Sequence, residues 1–456
     1  MTPRRLLAVV LVLAAAVRLW GIGFGLPAAY ARPDETEVAG PAVGFLSGDL
    51  RPPFFQWPTL FSYVVALAYF VYGGVAGSFT GYETLLEFAD SRRNSIAPFL
   101  YLSRGLSLTM GVATVWAVFA LGRRAFDDTV GIVAALFLAL AFLHVRDSHF
   151  GVTDVAMTAL VVCAVLAAVR WRASGGLGRA ACAGLVTGLA ASTKYNGVGA
   201  AVSFGVAAAL RALDGRPSRA TVGSQIAPLL VFGLTLVSAF LGASPYILID
   251  WSRFLQDVGS VQSTLAVGHG LNVGQGWWYF ARVVLPAGVG WPILLSAVAG
   301  AVALLATAFR QSAVLLVFPL AYYAVAGRGY AVFARHILPV VPFVCILAAW
   351  MVVRLVHAAT PRASAKTRGV LTAIAAMAIV APTAHQTWQL DRLLATDDNR
   401  VVVSRALAKV IAPGSVVCQT GAGYGRVPLA LEGRDLQLRE CEYDLSAGRF
   451  TADPMW

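Results

Sequence analysis

The chain is 456 residues long, 58% hydrophobic and only 13% charged, with a formal net charge of +12 and a mean hydropathy of +0.71. Soluble domains lie nearer half apolar and a quarter charged, so these values exclude a soluble enzyme, a disordered chain and a fibrous repeat. The positive charge does not argue for nucleic acid, because no basic helix or aromatic platform stands outside the apolar stretches; Lys and Arg collecting in cytoplasmic loops account for it.

The apolar residues gather into stretches at 6–20, 58–76, 99–122, 130–143, 155–169, 180–192, 197–210, 226–243, 291–309, 312–326, 337–353 and 370–384. A helix of about 20 residues spans a bilayer, so the chain is expected to be an all-α polytopic membrane protein of about 11, alternatively 12, transmembrane helices. Arg4 and Arg5 precede the first stretch like a signal peptide, but no small-residue cleavage site follows it, and it reads as an uncleaved span with its N-terminus inside. The first outer loop is long. In it, 36–46 can form an amphipathic helix, and Pro52, Pro53 and Pro58 with Trp57 suit the start of a helix lying in the interface.

Orientation follows from the arginines. If 58–76 does not cross, then Arg4/Arg5, Arg123/Arg124, Arg170/Arg172/Arg179, Arg211/Arg216/Arg219 and Arg354/Arg362/Lys366/Arg368 all fall inside. Asp34, Glu35, Glu37, Asp49, Glu83, Glu87, Asp90, Asp147, Asp154, Asp250 and Asp257 then fall outside. That sorting favours 11 spans; twelve would put Asp34 and Asp154 on opposite faces.

Four polar features interrupt this pattern. The first is 30–37, where Pro33 biases Arg32 toward an extended conformation and Asp34 falls near a helix start, either as an N-cap or facing a membrane-level cavity. The second is 144–154, which packs His144, Arg146, Asp147, His149 and Asp154 into one short connector. Ionisable groups beside a membrane cavity are costly and mark function, although a solvated connector reads almost as well. A divalent metal on His144, Asp147, His149 and Asp154 is the lesser alternative, because their spacing matches no strong zinc pattern. The third is 192–196, with Lys194, the one lysine before position 366, either snorkelling or holding a lipid phosphate. The fourth is 328–336, where Arg335 and His336 suit a phosphate as well as a structural ion pair.

The tail from 385 to 456 changes character. It carries nine acidic and eight basic residues, a helical pattern at 401–411, a Pro413-Gly414 break and a strand pattern at 415–418. A small extracytoplasmic α/β domain is expected there, after a membrane domain at 1–384. Cys163, Cys182 and Cys345 lie in apolar stretches, whereas Cys418 and Cys441 in the tail can be joined in an oxidising compartment.

Together these pieces resemble the GT-C superfamily of polyprenyl-phosphate-sugar-dependent glycosyltransferases, and within it the branch of protein O-mannosyltransferases and lipid A aminoarabinose transferases. The resembling residues are Pro33-Asp34-Glu35 after the first span, the Pro-rich 52–58 segment, Thr153-Asp154 opening a span, Thr193-Lys194, Ser244-Pro245-Tyr246, and Arg335-His336 followed by Pro339. The resemblance implies that Asp34, with Glu35 beside it, supplies the catalytic base or orients the acceptor, and that Asp154 arranges the same site. It implies further that Lys194 with Tyr195, and Arg335 with His336, contact the lipid-linked phosphate or its sugar. Arg146 and His149 are additional candidates for that contact. No Asp-x-Asp pair is present, so the metal dependence of other branches does not carry over and no cofactor is expected. The implied partners are a polyprenyl-phosphate sugar, a protein, lipid or glycan acceptor, and membrane lipids. A transporter or lipid flippase, and a non-catalytic subunit binding lipid-linked sugar, remain the alternatives.

Overall fold

The computed structural model describes residues 2–28, 31–80, 96–214, 222–268, 272–419, 425–429, 435–444 and 449–454. Glu83, Glu87, Asp90, Arg216 and Arg219, named above for orientation, lie outside the described residues. Helices run in the order α1 (Pro3–Leu19), α2 (Pro33–Gly44), α3 (Leu60–Thr80), α4 (Ala97–Ala125), α5 (Asp128–Leu140), α6 (Phe142–Ser148), α7 (Thr153–Ser174), α8 (Leu177–Thr193) and α9 (Ala201–Asp214). There follow α10 (Val222–Ala243), α11 (Trp251–Val267), α12 (Trp291–Ala326), α13 (Val341–Ala359), α14 (Ala365–Leu394) and α15 (Asn399–Val410). Among the described residues, seven helices are long and apolar enough to cross a membrane, or eight if the bent pair α5–α6 counts as one.

The buried core is drawn mainly from α5, α7 and α13, with residues of α1, α4 and α12 packed around them. Elsewhere large apolar side chains stay uncovered, such as Leu229, Leu230, Leu234 and Val237 on α10 and Val370, Ile374 and Met377 on α14. A soluble monomer rarely exposes so much; a lipid-facing helix does so by default. Where α8 meets α10 the backbones come close enough that a Cβ at Gly188 would collide with the Leu236 carbonyl, and one at Gly184 with the Phe232 carbonyl and Thr235. Small residues four apart allow such an approach between membrane helices. Gly188→Leu is therefore expected to reduce the yield of monodisperse protein in detergent several-fold, measured by size exclusion; an unchanged yield would show that this contact does not hold the bundle together.

Two sets of contacts define the ends of the bundle. At one end Arg172 and Arg310 both pair with Asp214, at 3.5 and 3.1 Å, and Arg211 donates to the Arg172 carbonyl at 2.8 Å. At the other, Glu35 in α2 meets Arg104 in α4 and Lys194 after α8 meets Asp154 in α7. The chain between Asp34 and α4 therefore begins and finishes at one end. α3 starts where the Thr59 amide donates to Ser244 at 3.2 Å, and from its middle the Tyr69 hydroxyl donates to the Phe99 carbonyl at 2.9 Å. α12 covers both stretches expected at 291–309 and 312–326. It turns sharply at Ala308, where φ and ψ leave the helical region.

The α5–α6 pair bends by 60° at Ala141, which frees backbone groups that a bilayer cannot hydrate. Side chains take them up. Arg18 of α1 donates to the Leu138 and Ala139 carbonyls at 3.4 and 3.1 Å, and Thr387 of α14 to that of Leu140 at 2.9 Å. The Phe142 amide donates to Thr383 at 3.1 Å. α6 is thereby held at a fixed angle to α5, and it carries Arg146 and Asp147. α14 runs unbroken across position 385 to Leu394 and uses Thr387 to bind the membrane core.

Beyond α14 the tail forms α15 and three strands, β1 (Val416–Gln419), β2 (Gln437–Asp444) and β3 (Arg449–Pro454). They form one sheet in that order, β1 parallel and β3 antiparallel to β2. A disulfide joins Cys418 to Cys441, linking β1 with β2.

Candidate active site

The site is assembled from four helix ends. Pro33 at the first position of α2 fixes the helix start, with Arg32 extended before it and Asp34 and Glu35 in the first turn. About 100° of helix rotation separates these two carboxylates, and they meet different partners. Asp34 pairs with Arg335 and lies 3.7 Å from Arg32. Glu35 is fully buried; both its oxygens pair with Arg104, at 2.8 and 2.7 Å, and it also accepts from the Gly151 amide at 2.8 Å. Arg104 in turn donates to the Ile22 and Phe24 carbonyls and lies over the Phe24 ring. Glu35 is thus a brace between the loop after α1, α4 and the start of α7, not the catalytic partner of Asp34 that the adjacent numbering suggested.

Asp154 lies in the first turn of α7, a favourable place for a carboxylate, and is 2.6 Å from Lys194. Lys194 reaches it because the chain leaves α8 in an extended conformation before the turn at Tyr195–Ala200. That exit is pinned by Ser192, whose hydroxyl is 2.6 Å from Ser244, itself bonded to Thr59. Arg335 comes from the turn at Ala334–Val340, its guanidinium over the Phe333 ring, and His336 stacks edge-on against the same ring. From α6, Arg146 pairs with Asp147 through two nitrogens at 2.9 and 2.7 Å.

Asp34, Lys194, Arg335, Arg32 and Arg146 keep between 20% and 28% of their side-chain surface exposed, whereas Asp147 and Asp154 lie beneath, at 1% and 5%. The four cations Arg32, Arg146, Lys194 and Arg335 face the three carboxylates Asp34, Asp147 and Asp154, a surplus of one positive charge. Burial first, and then the neighbouring Arg335, hold the Arg32 guanidinium below its ordinary pKa. A cluster crowded in this way gains by accepting an anion, and fixed cations are what a developing phosphate charge requires.

Of the residues expected from sequence, Asp34, Asp154, Lys194, Arg335, His336 and Arg146 come together here. Besides Glu35, two do not join the cluster. His149 is fully buried, with Nδ1 2.9 Å from the Val145 carbonyl, Nε2 3.0 Å from that of Trp20 and Asp391 3.7 Å from Nε2, so the ring ties α6 to the end of α1. Tyr195 donates to the Phe55 carbonyl at 3.0 Å and packs between Phe240 and Phe254, a strut under the Pro-rich loop. Conversely, sequence reasoning passed over Arg18, Arg104 and Arg32. The first two had a usable signal, since an arginine inside an apolar stretch is costly unless something pairs with it. Among the described residues no group of three or more His, Cys, Asp or Glu could hold a metal ion.

Comparison with known proteins bears on this arrangement. Residues 103–242 match the family model for dolichyl-phosphate-mannose-protein mannosyltransferases, a stretch that contains Arg146, Asp154 and Lys194. ArnT from Cupriavidus metallidurans bound to undecaprenyl phosphate superposes with a TM-score of 0.60 at 14% identity, covering 95% of this chain and 85% of that one. The Archaeoglobus fulgidus oligosaccharyltransferase in its apo form gives 0.62 at 12% identity, covering 95% of this chain; the chain spans 64% of that longer protein. No curated protein matched by sequence. The chain therefore shares the fold of ArnT and of the archaeal oligosaccharyltransferase.

Proposed function

We propose that the chain is an integral-membrane glycosyltransferase that moves a sugar from a polyprenyl phosphate to an acceptor hydroxyl, with eleven spans, its N-terminus inside and its active site on the extracytoplasmic face. The observation that carries this reading is the pairing of Asp34 with Arg335 and of Asp154 with Lys194 at one end of the bundle. Basic carboxylates and anion-binding cations stand within one cluster there. The matched mannosyltransferase model and the undecaprenyl phosphate bound by ArnT support a lipid-linked donor.

In this mechanism the donor phosphate enters among Lys194, Arg335, Arg32 and Arg146. It competes with Asp34 for Arg335, leaving the Asp34 carboxylate free to take the proton of the acceptor hydroxyl. The acceptor oxygen attacks C1 as the C1–O bond to phosphate breaks, and the bonding pair leaves with the phosphate oxygen. The leaving polyprenyl phosphate gains negative charge, which the cations stabilise without reorganising. Attack opposite the leaving group inverts the configuration at C1. A transporter would be expected to flex at its broken helix; here the α5–α6 break is tied by Arg18, Thr383 and Thr387.

Two measurements test the reading. In a strain lacking the gene, a polyprenyl-phosphate sugar is expected to accumulate; an unchanged lipid-linked sugar profile counts against it. With that lipid as donor, Lys194→Gln and Arg335→Gln are each expected to lower kcat/KM by about 10–100-fold, the value of a charge-assisted hydrogen bond. Full activity in both variants would remove the phosphate assignment.

A further inference from the structure

The helix α11 stands apart from the bundle, since none of its residues is buried. Its 17 residues reach about 25 Å, short of a hydrocarbon core of about 30 Å, and both of its halves meet the site end of the bundle. In the first half Asp257 accepts from the Phe55 amide at 2.6 Å, and Phe254 packs against the rings of Phe55 and Tyr195. Tyr195 directly follows Lys194. Near the finish the Leu265 carbonyl accepts from the Tyr330 amide at 2.9 Å, on the segment that leads to Arg335. The helix therefore lies across that end, bridging the loop of Lys194 to the loop of Arg335. Its apolar residues recur at helical spacing, 251, 254, 255, 258, 261 and 265. Phe254 turns toward the protein, while Trp251, Leu255 and Leu265 stay exposed. The opposite side, with Ser252, Arg253, Gln256 and Ser260, is polar and exposed.

We propose that α11 is a membrane-docking helix, lying in the interface at the site end with Trp251, Leu255 and Leu265 in the lipid and its polar side in water. Continuity of surface selects lipid as the occupant. The lipid-facing side of α10, marked by Leu234 and Val237, runs on through the exposed Leu248 and Ile249 into Trp251 and Leu255. Tryptophan collects at membrane interfaces, and Trp278, also exposed, is held beside the segment that leads to Arg335 by the Gly276 amide, which donates to the Gly329 carbonyl at 3.1 Å. An amphipathic helix of this kind settles with its apolar side about 5–10 Å into the boundary of headgroups and acyl chains. With that depth set, the two loops that α11 bridges hold Lys194 and Arg335 at headgroup level, where a lipid phosphate lies. This consequence rests on the lipid-linked donor reading; the docking itself does not.

The test uses the purified full chain in vesicles of phosphatidylcholine and phosphatidylglycerol, with or without bromine near the top of the acyl chains. Trp251 is one of eleven tryptophans, so its contribution is read as the fluorescence difference between wild type and Trp251→Phe. Brominated lipid is expected to lower that contribution about twofold or more, because the bromine sits at the depth the ring occupies. An unquenched Trp251 overturns the docking, and a Trp251 signal that changes instead when the protein is diluted in the vesicles overturns it in favour of a second copy covering the helix. Leu255→Glu, or Trp251→Glu if that variant does not fold, puts a charge on the docked side. It is expected to weaken binding of undecaprenyl phosphate in vesicles several-fold, with the melting temperature kept. Unchanged affinity beside a quenched Trp251 overturns the positioning of Lys194 and Arg335 and leaves the docking in place. A wild type that binds no undecaprenyl phosphate brings down the donor reading, while quenching still decides the docking.

Discussion

Asp34→Asn is expected to lower the rate of sugar transfer by about 10²–10⁴-fold, the range a positioned general base contributes, while the protein still folds and binds donor. Asparagine nearly matches the shape of aspartate but cannot take the acceptor's proton. The substitution is mild structurally, because the Asp34 side chain is 28% exposed and its partner Arg335 keeps access to water. Single-turnover transfer from a saturating donor is the decisive measurement, with thermal unfolding in detergent as the control. Unimpaired transfer would sink the base assignment and direct attention to Asp154, the next carboxylate in the cluster.

The adjacent residue should behave in the opposite way. Glu35→Ala leaves Arg104 buried, at 0% exposure, without its counter-charge. Breaking a buried ion pair by removing one partner costs about 3–5 kcal/mol, a large part of the stability of an ordinary domain. The expected outcome is a steep loss of folded protein and a lowered melting temperature, with activity lost only in proportion to the unfolded fraction. Replacing both partners, Glu35→Ala with Arg104→Leu, should recover part of the loss, because the uncompensated charge is gone. A Glu35→Ala protein that is stable but inactive would instead return Glu35 to the catalytic set. The two neighbouring acids thus separate by experiment: one loses chemistry and keeps the fold, the other loses the fold.

Much of the architecture was legible because a bilayer imposes a simple rule on sequence. Every apolar stretch is helical, though 291–309 and 312–326 share α12 and 130–143 is broken at Ala141, and the tail's helix and first strand fall within two residues of the expected 401–411 and 415–418. The rule works because unpaired backbone groups are intolerable in hydrocarbon. It fails where polar side chains do the pairing. The break at Ala141 lies inside an unbroken apolar stretch, and nothing local announces it; it exists because Arg18, Thr383 and Thr387 arrive from α1 and α14 to accept its loose ends. The amphipathic α11 was likewise unannounced, since it is too polar for a span.

The candidate site was legible as a set of residue types at helix ends. Asp34, Asp154, Lys194 and Arg335 stood out as charges beside apolar stretches, and they meet. What residue type and position could not separate was Asp34 from Glu35, or Arg146 from His149, since neighbours in sequence share the same loop and the same sign of evidence. A residue's role here depends on which side of a helix it leaves and what waits there. Glu35 meets Arg104 across 69 positions, His149 meets the Trp20 carbonyl across 129, and Arg335 meets Asp34 across 301. Sequence alone therefore determined that the chain enters a membrane, where its helices run and which loops carry charge, because transfer free energy acts residue by residue. Only the tertiary structure decided which of those charges meet in one partly exposed cluster and which are buried struts, because ion pairing is a property of two distant residues brought together.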